Sequence, residues 1–178
     1  MIGTGMRTQE LLALTKEDIA VDGSFVRINK AIEMVDGHPQ LGPPKSKRSR
    51  RTIPVPPDYY FFARRLRTLG GTNYIWESHR EDKLYSVGTF RKKYYEALKN
   101  IPGVRLLSPH CCRHTYVTRL QEKGVSIDLI ARLAGHARIS TTEGYAHASI
   151  DTLAGAVNVL TINNNENEKQ EESLQCII

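Results

Sequence analysis

Hydrophobic and polar positions along the chain change their period twice. Leu11, Leu12 and Leu14 follow the Gly3 and Gly5 turn and give a short helix its apolar face within 4–14. Thr15 then offers a cap for a second helical start. Over 19–55 the period drops to two: Phe25, Arg27 and Asn29 alternate with Val26, Ile28 and Lys30, and further strand-like stretches lie at 31–35 and 51–55. Asp36-Gly37 and Gly42-Pro43-Pro44 mark turns between them, which predicts a three-stranded antiparallel sheet. Past Pro56-Pro57-Asp58 the helical period returns. Helices are expected to about Leu69, closed by Gly70-Gly71, and at 86–100, 109–123, 126–134, 140–146 and 149–159, with a short buried segment at 74–76. The fold class is therefore α+β, mainly α-helical, with a small sheet. The asparagine- and glutamate-rich stretch after Ile162 reads as low-complexity, so the chain divides into one domain over 1–162 and a flexible tail over 163–178.

Charge sharpens this picture. The 178 residues suffice for one domain with a proper core, and they carry a formal +6. The last sixteen hold one lysine and four glutamates, which leaves 24 basic against 15 acidic residues in the domain itself. A basic domain points to a polyanionic partner, because each neutralised phosphate releases counterions. No apolar run is long enough to span a membrane, and the start lacks a signal-peptide pattern. Three cysteines, Cys111, Cys112 and Cys176, make a poor disulfide framework and suit a reducing cytoplasm. A zinc site at Cys111, Cys112 and His114 fails on geometry: adjacent helical positions point about 100° apart, and no further ligand pair completes a tetrahedron.

Five short signals then follow in order. Thr4-Gly5-Met6-Arg7 places an arginine after a glycine turn, with Glu10 three residues on. Pro44-Lys45-Ser46-Lys47-Arg48-Ser49-Arg50-Arg51 is a basic hairpin entering a strand. His110 and Arg113 stand one helical turn apart and share a face. Gly135-His136 follows a helix, and Tyr145 lies nine residues beyond it, with His147 after that. Singly, each has a plain reading: surface arginine, solvated loop, surface pair, helix cap, core aromatic.

The ordered set Arg, Lys, HxxR, GH and Tyr, with the flanking words TGMRTQELLALTKEDI, KSKRSRRTIPVP, SPHCCRHTYVTRL and LAGHARISTTEGYAH, resembles the active site of the tyrosine recombinases, the phage-type integrases. The likeness runs from about residue 3 to residue 160. It implies the catalytic fold of that family, with DNA cleaved and rejoined through a 3′-phosphotyrosine at Tyr145 and a 5′-hydroxyl released. Because the bond energy is conserved, no cofactor is expected, neither ATP nor metal. The residue types suit phosphodiester transfer. Arg7 and Arg113 can clamp the non-bridging oxygens as bidentate forks. His110 serves as proton acceptor or phosphate donor, His136 as a phosphate hydrogen-bond donor, and Lys45 as the acid for the leaving oxygen, with Lys47 the alternative. Glu10 is expected to orient Arg7, and His147 to be structural or orienting. Lys47, Arg48, Arg50 and Arg51, with Arg64, Arg65 and Arg67 on the next helix and Arg91, Lys92 and Lys93 further on, are candidates for phosphate contacts.

The expected partners are double-stranded DNA and further copies of the chain, a tetramer on DNA and a monomer free in solution, with no membrane. The chain starts six residues before Arg7. It is thus expected to be N-terminally truncated, without the core-binding domain that such recombinases carry, and its activity to depend on that missing part. Two other readings remain open. One is a catalytically idle DNA-binding module, since the helices on either side of Gly124 look superficially like a helix-turn-helix. The other is a type IB topoisomerase, which shares the five-residue chemistry. The integrase-like flanking words favour the recombinase.

Overall fold

A computed structural model describes residues 1–44, 49–69, 74–77, 84–135 and 149–161. The helix expected at 140–146, the tail, and Lys45, Lys47, Arg48, His136, Tyr145 and His147 lie outside the described residues. The rest is built from α1 (Thr8–Leu12), β1 (Phe25–Ile28), β2 (Ala31–Val35), β3 (His38–Gly42), β4 (Arg51–Pro54), α2 (Tyr60–Leu69), α3 (Val87–Lys99), α4 (Pro109–Glu122), α5 (Ile127–Ala134) and α6 (Ile150–Asn158).

Local chemistry sets most of these ends. Ser86, Ser126 and Ser149 cap α3, α5 and α6, each accepting from the backbone N–H three residues on. Pro109 opens α4, where its missing N–H costs nothing. Gly135 closes α5 in the left-handed conformation, φ +67°.

The strands correct the sequence reading in one respect. Among the described residues they form two antiparallel pairs, β1 with β4 and β2 with β3, in place of a single three-stranded sheet. Asp36 and Gly37 both take positive φ, 49° and 79°, so β2 turns straight back into β3. The stretch after the turn hides its strand character, because Pro39 and Gly42 interrupt it and its side chains are largely exposed. β1 instead pairs with Arg51–Pro54, beyond the β2–β3 hairpin, matching Phe25 with Pro54 and Ile28 with Arg51.

Two apolar clusters fill the domain. One gathers Leu11, Leu12 and Leu14 with Ile19, Val26, Ile28, Ile32, Ile53, Val55 and Phe90. The other joins the last three helices through Tyr116, Leu120, Ile130, Leu133 and Val157. β4 packs against α5 and α6, and α4 reaches back to the Gly5 turn through Arg113. The polar residues of interest sit where these two clusters meet. Among the described residues no helix is long and apolar enough to cross a membrane.

Candidate active site

Arg7 ends the extended segment before α1, and its position is fixed at both ends of the side chain. Its backbone N–H donates to Glu10 Oε2 at 2.8 Å and its Nη1 to Glu10 Oε1 at 2.8 Å. Its Nη2 donates to the carbonyl of Gly135, 128 residues away, also at 2.8 Å. One guanidinium thus joins the first helix to the last turn of α5. That carbonyl lies at the negative end of the helix, where a cation is favoured.

Arg113 lies on the inner face of α4 and is 4% exposed. Its Nη1 donates to the Gly5 carbonyl at 2.6 Å, its single hydrogen bond among the described residues. Gly5 is forced by this arrangement. Its φ is +59°, and a Cβ there would stand 2.4 Å from the Tyr116 ring. Burial, with the charges of Arg7 and Arg51 beside it, pushes the Arg113 guanidinium down to about 10; at neutral pH it stays charged.

His110 is exposed at the start of α4, its ring edge-on to His114 at 4.7 Å between centroids. Desolvation and the charges of His114, Arg113 and Arg7 lower its pKa below the usual 6.5, so the imidazole is neutral at pH 7.

Glu10 is the carboxylate that binds this group together. It is 2% exposed. Burial alone would raise its pKa, but the hydrogen bonds and charge of Arg51 and the bonds from Arg7 outweigh it and hold the carboxyl below its ordinary 4.5. Glu10 therefore stays ionised between the guanidiniums of Arg7 and Arg51, and with Arg113 in electrostatic reach one carboxylate is set against three cations, an excess of positive charge suited to an anion.

Arg51 departs from its expected place. The sequence makes it a candidate phosphate contact, yet its side chain is 7% exposed and fully engaged within the protein. Nη1 and Nη2 meet Glu10 at 3.0 and 2.9 Å, Nε donates to the Leu133 carbonyl at 2.8 Å, and Nη1 also donates to the Ser49 carbonyl at 3.0 Å. Arg67 is likewise turned inward, donating to the carbonyls of Lys16 and Ile19. Arg50, Arg64 and Arg65 are exposed, with Arg64 lightly held by the Asp22 carbonyl at 3.3 Å. Arg91, Lys92 and Lys93 are exposed on α3.

Tyr116 stands near Arg113 but has no access to a substrate. It is wholly buried, and burial pushes its phenol up against the opposing pull of Arg51 and Arg113. Cys111 and Cys112 are half-buried free thiols, and among the described residues no group of three or more His, Cys, Asp and Glu side chains gathers to hold a metal.

Two arginines from distant segments, Arg7 and Arg51, thus meet on one buried carboxylate, Glu10, within a small α+β fold. Residues 1–151 match the Phage integrase family, and the chain belongs to that family. It is 28% identical over 190 residues to a protein named tyrosine recombinase XerC-like from Caldanaerobacter subterraneus subsp. tengcongensis, covering 89% of this chain and 46% of that protein. It is 30% identical over 157 residues to tyrosine recombinase XerC of Pelobacter propionicus, covering 86% and 47%. The chain thus spans about half the length of the curated relatives it matches. Among solved structures, the Tn1549 transposon integrase in complex with transposon right end DNA superposes with a TM-score of 0.66 at 22% identity, over 86% of this chain and 54% of that one. A XerA recombinase gives 0.60 at 16%, over 97% and 54%. These likenesses establish the shared fold.

Proposed function

We propose that this chain is the catalytic domain of a tyrosine recombinase that cuts and rejoins double-stranded DNA through a 3′-phosphotyrosine on Tyr145. The observation that carries the reading is the convergence of Arg7 and Arg113, from segments more than a hundred residues apart, on the Gly5–Glu10 stretch: Arg7 is held by ionised Glu10 and Arg113 by the Gly5 carbonyl, with His110 one turn before Arg113 on α4. A scissile phosphodiester is an anion that resists a nucleophile. Two guanidiniums on its non-bridging oxygens offset the charge that grows there in the transition state.

In the proposed reaction the Tyr145 oxygen attacks phosphorus and its phenolic proton passes to His110. The bond to the 5′-oxygen breaks, and Lys45 gives that oxygen its proton. His136 donates a hydrogen bond to the phosphate. A 5′-hydroxyl from a partner duplex then attacks the phosphotyrosine and returns the phenol to Tyr145. The exchange of partners requires several copies of the chain on DNA, a tetramer in this reading, and Arg50, Arg64 and Arg65 give the duplex phosphates their further contacts.

The test is a nicked suicide duplex carrying the sequence that flanks the gene. A detergent-stable protein–DNA adduct that disappears in Tyr145→Phe supports the reading. DNA binding with no adduct makes the chain an idle binding module, and relaxation of a supercoiled plasmid without joining makes it a topoisomerase.

A further inference from the structure

We propose that Arg51 is a positioning residue for this strand-transfer chemistry, one that fixes Arg7 against the end of α5 without itself touching DNA. The inference rests on the functional reading above. Arg51 begins β4, directly after the basic segment that holds Lys45. Its guanidinium closes a two-pronged pair with Glu10, at 3.0 and 2.9 Å, and Glu10 in turn grips both the backbone and the side chain of Arg7. The same guanidinium turns its Nε to the Leu133 carbonyl, while Arg7 takes the carbonyl of Gly135 two residues on. Two arginines and one carboxylate therefore form a closed bridge between α1, β4 and the last turn of α5, the turn that leads into His136.

A second, independent observation shows that the backbone is shaped around this side chain. A Cβ on Gly135 would stand 2.8 Å from Arg51 Nη1, and Gly135 already takes φ +67°. The glycine before His136 thus leaves room for Arg51 as well as ending the helix. Lysine cannot make the bridge, because one ammonium on a flexible stem cannot meet Glu10 in two places and also cap Leu133 in the same plane. With Arg51 gone, Glu10 keeps Arg7 as its partner but loses its own anchor to β4 and α5, so Arg7 is held less firmly over the phosphate.

The experiment measures single-turnover adduct formation on the nicked duplex, alongside equilibrium affinity for the same duplex and circular dichroism, for the unaltered chain, Arg51→Lys, Arg51→Gln, Arg7→Lys and the double variant Arg7→Lys/Arg51→Lys. A misplaced clamp predicts that Arg51→Lys slows adduct formation by about 10–100-fold, with affinity for DNA changed less than about threefold, because the lost contacts lie inside the protein. If Arg51 acts through Arg7, the double variant is no slower than Arg7→Lys alone. Rates of the two single variants that multiply, or an unchanged rate in Arg51→Lys, overturn the proposal while leaving the recombinase reading intact. Loss of fold in both Arg51 variants also overturns it and makes the residue a stability element. No adduct from the unaltered chain removes the recombinase reading and this proposal together.

Discussion

Gly5 shows how much of the site hangs on one residue without a side chain. Its carbonyl receives Arg113, and its left-handed backbone lies flat against Tyr116. Gly5→Ala adds a methyl group 2.4 Å from that ring at a φ of +59°. The expected cost is about 1–3 kcal/mol of unfolding free energy from backbone strain, with more from the clash, read from the urea midpoint. Arg113→Lys is a different kind of change. The cation is kept but the fork is lost, and by analogy with arginine fingers adduct formation should slow by roughly 10³–10⁵-fold. His110 sets the pH dependence. It accepts a proton only when neutral, and its pKa is lowered by desolvation and by His114, Arg113 and Arg7. The acid limb of the rate should therefore have its midpoint below pH 6.5, the ordinary imidazole value. A pH–rate profile whose acid limb persists in His110→Gln would rule out this assignment.

At the scale of elements, the bridge from α1 through β4 to α5 is an ion network with both partners nearly sealed: 3% exposure for the Glu10 side chain and 7% for Arg51. Glu10→Gln removes the anion and strands Arg51 among carbonyls, which should cost about 3–5 kcal/mol at pH 7. The pH course follows from the direction of the shift. A carboxyl held below 4.5 contributes its full stability above that value and loses it as pH falls through the lowered one. The difference in urea midpoint between the chain and Glu10→Gln should thus be constant from pH 5 to 8 and shrink below 4.5. Asp18, depressed by its Lys30 and Thr15 contacts against the opposing effect of burial, adds its own acid limb. The comparison with the variant subtracts it. The helices were largely legible in the sequence because their signals are local: Ser86, Ser126 and Ser149 before an apolar period, and Gly135 after one. The strand pairing was not. Residues 38–42 carry a proline and exposed side chains, and the partner of β1 is chosen by burial of Ile53 and Val26 together, which no short window contains.

Across the whole molecule, the motif arginines could be found because each stands beside a turn or a helix start and the order of the motifs is itself informative. Arg51 could not be separated from its basic neighbours in the same way. In the sequence it is one cation among several in a hairpin, and the partners that draw it inside are 41 and 82 residues distant. Charge counted along the chain therefore overstates the charge available to a polyanion. That distinction can be measured. Binding of a duplex that neutralises Z phosphates falls with salt at a logarithmic slope of about −0.9Z. Arg50, Arg64 and Arg65 are exposed, so glutamine at each should reduce the magnitude of that slope by about one if it meets a phosphate. Arg67 carries the same formal charge, yet its two hydrogen bonds tie α2 to the carbonyls of Lys16 and Ile19. Arg67→Gln should leave the slope unchanged and lower stability by about 1–3 kcal/mol, the worth of hydrogen bonds from a charged donor. Titrations at several salt concentrations in which Arg67→Gln flattens the slope as much as Arg50→Gln would mean that the inward contacts open when DNA arrives, and that the surface met by the duplex is wider than the exposed arginines alone.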